Sequence, residues 1–122
     1  MRDLINIVTE GNAPTDMPPA VCFHVSRSSV DDRIRHDGLK QDRLGRAYVW
    51  DTIEMARWFA DFQNDEQSEH TIWAVDTRGL SWVRDPETED MSEWSSKFAG
   101  EGGAWITTDK IAPDRLRVTE IV

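Results

Sequence analysis

Met55, Trp58, Phe59 and Phe62 recur at spacings of three and four residues, directly behind the short apolar run Ala47-Tyr48-Val49-Trp50. That spacing predicts an amphipathic helix, and its broad apolar face needs a sheet to rest on. Asp51-Thr52-Ile53-Glu54 fits a variant capping box, with Asp51 at the N-cap and Glu54 reaching back, so the helix should run from there to about Phe62. Other segments supply the sheet. Val21 to Ser26 is rich in strand formers, Thr71 to Val75 reads as a buried strand leaving through Asp76 and Gly79, and Trp105 to Thr107 and Leu116 to Val122 make closing strands around a turn at Pro113. Ser29 can cap a first helix from Val30 to about His36, with Val30 and Ile34 on one face and Gly38 as its stop. Short strands interrupted by only two or three helices indicate an α+β domain rather than a βαβ parallel sheet. Residues 3–9 suit a helix or a strand equally, Met91 to Phe98 suits a helical turn, and Gly100 to Gly103 reads as a flexible connection.

A chain of 122 residues is the length of one domain with a real core. Residues 1–122 read as that single domain, with 1–20 as an N-terminal extension. No apolar run approaches the roughly 20 residues needed to span a bilayer, and the N-terminus lacks the regions of a signal peptide, so the expectation is a soluble, cytoplasmic protein. Cys22 is the only cysteine and the three histidines are scattered, which leaves neither a disulfide framework nor the thiols of a structural zinc site. A net charge of −9, from 23 acidic against 14 basic residues, disfavours a surface that grips phosphate backbones and favours a protein partner or a small molecule in a local pocket. The acidic stretch Asp85-Pro86-Glu87-Thr88-Glu89-Asp90 reads as a solvated loop, with nucleic-acid mimicry as the sharper alternative.

Three motifs carry the chemistry. Cys22-Phe23-His24-Val25-Ser26 ends a strand on a histidine, Ile34-Arg35-His36-Asp37-Gly38-Leu39 closes a short helix on Gly-Leu, and Ala47-Tyr48-Val49-Trp50 delivers a tyrosine to a helix start. Together with Gly102-Gly103-Ala104-Trp105-Ile106 and Ile111-Ala112-Pro113-Asp114-Arg115-Leu116, they resemble small His-Tyr-Glu members of the ADP-ribosyltransferase-like superfamily, related to diphtheria-toxin-like transferases and tRNA 2′-phosphotransferases. The resemblance covers about residues 21–122. It implies two small β-sheets facing across a cleft that binds NAD, and transfer of ADP-ribose to a macromolecular target, as in toxins and viral effectors.

The same resemblance implies roles for particular residues. His24 would hydrogen-bond a ribose of NAD, the backbone of Val25 would hold the nicotinamide carboxamide, and Ser26 would close the motif. Arg27 could pair with the diphosphate. Tyr48, the only tyrosine, would stack on the nicotinamide. Thr52, with Asp51, lies at a helix N-terminus where the macrodipole favours an anion. Departure of nicotinamide builds positive charge on the ribose, which a carboxylate should face. Ala104 occupies the position where such sequences often carry that glutamate, and Glu101 is the nearest carboxylate. The expectation is therefore an active transferase using Glu101, a silent acidic member of the same fold that works by binding or as an inhibitor of a host complex, or one disarmed at position 104. RNA 2′-phosphate transfer, with Arg27, Arg43 and Arg46 in the pocket, is a further alternative.

Overall fold

The computed structural model describes residues 17–39, 42–63, 68–85 and 103–122. Their strands are β1 (Val21–Arg27), β2 (Ala47–Trp50), β3 (His70–Asp76), β4 (Val83–Arg84), β5 (Ala104–Thr107) and β6 (Leu116–Ile121). Two α-helices join them, α1 (Asp31–Asp37) after a 3-10 turn at Ser28–Val30, and α2 (Ile53–Phe62). The α+β class is as expected. All six strands are antiparallel and lie in one sheet, ordered β4-β5-β2-β1-β3-β6, where the resemblance implies two sheets facing each other. The joins are unequal. β1 pairs with β3 along its whole length, from Val21 opposite Asp76 to Arg27 opposite His70, and β2 pairs with β5 from Ala47 to Trp50. Between β1 and β2 the register holds at one position, Phe23 opposite Trp50.

Strand alternation sorts the side chains onto two faces. On one, Cys22, Ala47, Val49, Trp73, Val75 and Trp105 form a core closed by Ile34 of α1 and by Leu39 and Ile111. On the other, Trp50, Ile72 and Ala104 pack against Met55 and Ala56 of α2, with Phe23, Val25, Ile53, Trp58 and Phe59 at the margin. Arg57 of α2 donates two hydrogen bonds of 2.8 Å to the Glu120 carboxylate of β6, which ties the helix to the sheet edge.

Two details differ from the sequence reading. The N-cap of α2 is Thr52, whose hydroxyl accepts from the Met55 N–H at 3.2 Å, and not Asp51. The two cap-forming residues stand in tandem, and Asp51 is committed elsewhere, as described below. Secondly, α2 seats Met55, Ala56 and Ala60 on the sheet and leaves Phe62 53% exposed. Small residues at 56 and 60 let the helix approach the strands closely, which turns Trp58 and Phe62 to the flank. There their rings stack at 5.3 Å. Met55→Ala should therefore lower stability by about 2–3 kcal/mol and Phe62→Ala by under about 1 kcal/mol in urea melts, since only the first opens a cavity; equal losses would contradict this orientation. Residues 3–9, Met91 to Phe98, and Glu101 lie outside the described residues.

Candidate functional site

His24 stands on β1 just beyond the single register position that joins β1 to β2. Its Nδ1 lies 2.7 Å from the main-chain carbonyl oxygen of Tyr48. A carbonyl can only accept, so Nδ1 carries the proton. Burial holds the imidazole below its usual pKa of 6.5, opposed by that hydrogen bond, so the ring is neutral near pH 7 and its Nε2 is an acceptor. Nε2 has no protein partner among the described residues. The residue as a whole is half-buried. The pair His24–Tyr48 thus presents a tautomer fixed by the backbone and an unoccupied lone pair at the weakest join of the sheet.

The lowered pKa has a consequence for folding. Between the folded-state value and about 6.5 the unfolded chain binds a proton that the folded ring refuses, so stability is complete above that window and falls as pH drops through it. Urea midpoints measured at about pH 7.5 and about pH 5.5 should drop more for the native chain than for His24→Asn. Equal drops would remove His24 as the titrating group.

The remaining residues of the sequence motif divide between the two faces. Ser26 shares the face of His24, where its hydroxyl accepts from the indole N–H of Trp73 at 3.1 Å. Val25, Arg27 and Tyr48 alternate to the other side. Val25 packs at the margin of the α2 core. Arg27 lines a recess of about 390 Å³ with Ser28, Ser29, Ser68 and Glu69. The Tyr48 ring lies 5.3 Å from the guanidinium carbon of Arg46, whose Nε and Nη2 are also held at 3.2 Å by Asp42. What His24 and Tyr48 share is therefore the join itself, through a backbone atom. Thr52 is occupied as the helix cap.

Ala104 is 1% exposed, paired with Trp50 and packed among Met55, Ala56 and Ile72. Its methyl group belongs to the core on the α2 side. The nearby carboxylate is Asp51, which accepts hydrogen bonds from the Trp105 indole N–H and from the Gly103 N–H (3.2 Å), and faces Arg84 at 3.4 Å. Arg84 in turn lies over the Trp105 ring at 4.3 Å. With its side chain only 12% exposed, Asp51 clamps the start of β5 to the end of β2. Its charge, after burial, helps push the thiol of Cys22 up to about 12, so this cysteine is an inert core residue. Sequence reasoning assigned Asp51 to the cap; the signal it missed is that a buried Trp105 indole needs an acceptor.

On the His24 face a second polar chain fixes α1. Thr71 donates to Asp31 at 2.8 Å and so must accept from the Ser28 hydroxyl at 2.7 Å. Among the described residues no helix is long and apolar enough to cross a membrane, and no cluster of His, Cys, Asp or Glu could hold a metal ion. No protein-family model matches the chain, and a search of curated proteins finds no match.

Proposed function

We propose that this chain is an ADP-ribosyltransferase-like domain that binds NAD at the β1–β2 join, and that it acts in the cytoplasm as an NAD-dependent mono-ADP-ribosyltransferase on a macromolecular target, a protein in the first instance. The observation that carries the reading is the state of His24. Its Nδ1–H is spent on the Tyr48 carbonyl, which leaves a neutral Nε2 acceptor beside the single register position that joins β1 to β2. An acceptor of that kind suits a sugar hydroxyl and has nothing to offer a bare phosphate oxygen. In this reading the main chain of Val25 holds the carboxamide, Tyr48 contributes through the carbonyl that fixes the His24 tautomer while its ring lies on the other face of the sheet, and bound NAD supplies an activated glycosidic bond. The chain's own task is to orient the ribose and to face the developing positive charge with a carboxylate, which falls to Glu101 because Ala104 has none.

A second reading, a silent member of the fold that acts by binding, is supported by the core packing of Ala104 and by the commitment of Asp51 to Trp105, Gly103 and Arg84. RNA 2′-phosphate transfer is less well supported, since Arg46 is already held by Asp42 and Tyr48. Calorimetry with NAD tests the binding claim. The native chain should bind with a Kd of roughly micromolar to millimolar order, and His24→Ala, checked for an intact thermal transition, should weaken it about tenfold. Absence of binding at millimolar NAD would refute the reading. Binding without release of nicotinamide, in the presence of a cell extract as a source of targets, would favour the silent one.

A further inference from the structure

We propose that Arg35 of α1, and not Arg27, takes the phosphate-bearing part of the dinucleotide; this rests on the NAD reading above. Alternation along β1 puts His24 and Ser26 on one face and Arg27 on the other, where Arg27 lies opposite His70. A ligand hydroxyl on His24 Nε2 and a phosphate on Arg27 would have to lie on opposite sides of the sheet.

Arg35 is on the right side. Trp73 is the register partner of His24, its indole N–H donates to Ser26, and the guanidinium carbon of Arg35 lies 5.7 Å from the centre of the Trp73 ring. His24, Ser26 and Arg35 therefore share one face of the sheet, grouped around the Trp73 ring, which is itself buried. The helix carrying Arg35 is fixed on that surface one turn earlier, where Asp31 accepts from Thr71, the register partner of Ser26, and again by buried Ile34.

The chemistry of the contact also fits. A guanidinium drawn to an indole ring still has N–H donors for a bidentate acceptor, the geometry that matches phosphate, and the Arg35 guanidinium carbon lies 5.7 Å from the Trp73 ring centre. The competing polar contact of Arg35 is to Asp32, at 3.4 Å and on side chains that are 55% and 104% exposed, so water and salt screen it and leave most donors available. Facing carboxylates are accounted for as well: Asp31 is turned into the Thr71 contact, and Asp37 is bonded to His36 at 2.6 Å. In a chain of net charge −9 a dinucleotide needs such a local cation.

The test is calorimetry with two ligands, NAD and nicotinamide riboside, which shares the nicotinamide and its ribose but carries no phosphate. Arg35→Ala should weaken NAD about tenfold and leave nicotinamide riboside within about twofold. Arg35→Lys should recover part of the loss, and Arg27→Ala should behave as the native chain. The inference is overturned if Arg35→Ala leaves NAD affinity unchanged, if it weakens both ligands equally, if Arg27→Ala produces the loss instead, or if the native chain binds the riboside as tightly as NAD. Failure of the native chain to bind either ligand would sink the NAD reading and this inference with it.

Discussion

Replacing Gly38 with alanine should cost about 4 kcal/mol or more, enough to lower the thermal midpoint by on the order of 10 °C or more. Gly38 ends α1 with φ 86° and ψ −173°, a region that residues with a Cβ scarcely enter, and its N–H closes the helix on the Ile34 carbonyl at 2.9 Å. A Cβ there would lie 2.1 Å from the carbonyl oxygen of Ile111. That oxygen also accepts from the Leu39 N–H at 3.1 Å, so no small shift relieves the overlap without breaking the Leu39–Ile111 bridge. Strain of about 1–3 kcal/mol adds to an unpaired buried polar group of similar size. Leu39 and Ile111 are core residues on the His24 face, so the damage should spread to whatever ligand that face binds. A variant with native thermal stability would show that the Gly38–Ile111 approach is not what closes this core.

Gly38 also shows how far the sequence can be read. That a glycine stops the first helix is legible from its position behind Ile34-Arg35-His36-Asp37. That the same glycine is needed for a backbone crossing with residue 111 is not, because the partner is distant in sequence. The same division holds elsewhere. The strand at Ala47–Trp50 and the helix ending at Phe62 follow from apolar spacing, and β1 and β3 are longer than expected by one or two residues at their ends. The two-residue edge strand Val83–Arg84 has no sequence signal, since its pairing to Ile106 and Trp105 is wholly long-range. Of the residues chosen from local pattern, His24 meets Tyr48 only through the Tyr48 main-chain carbonyl, and the Tyr48 ring takes the other face. Which face each side chain takes depends on register, and a shift of one residue reverses it. For that reason Arg27 could be chosen from the sequence while Arg35, eight positions on and in another element, could not.

Ala104→Glu sets the pattern of the motif against the packing of the core, and packing should win. If the alanine merely stood open to a cleft where related sequences carry glutamate, the variant would fold normally and cleave NAD about a hundredfold faster or more. Ala104 is instead 1% exposed against Trp50, Met55, Ala56 and Ile72, with no hydrogen-bond donor in that cluster apart from the Trp50 indole. A glutamate forced into it must be neutral, and holding a carboxyl of ordinary pKa about 4.3 protonated at pH 7 costs about 3–4 kcal/mol. Overpacking by the added methylenes contributes about 1–3 kcal/mol more, so the expected loss is about 5 kcal/mol. The protonation component has a definite sign. It is present above about pH 4.3, where the unfolded carboxyl ionises, and is relieved as pH falls toward that value, so the gap between variant and native midpoints should narrow from neutral to mildly acidic pH. Ala104→Gln, nearly the same size but without a charge, should show a loss that does not change with pH. A glutamate variant with the native midpoint and a new NAD-cleaving activity would show instead that position 104 reaches the cleft, and would make the catalytic reading of this chain depend on that one side chain.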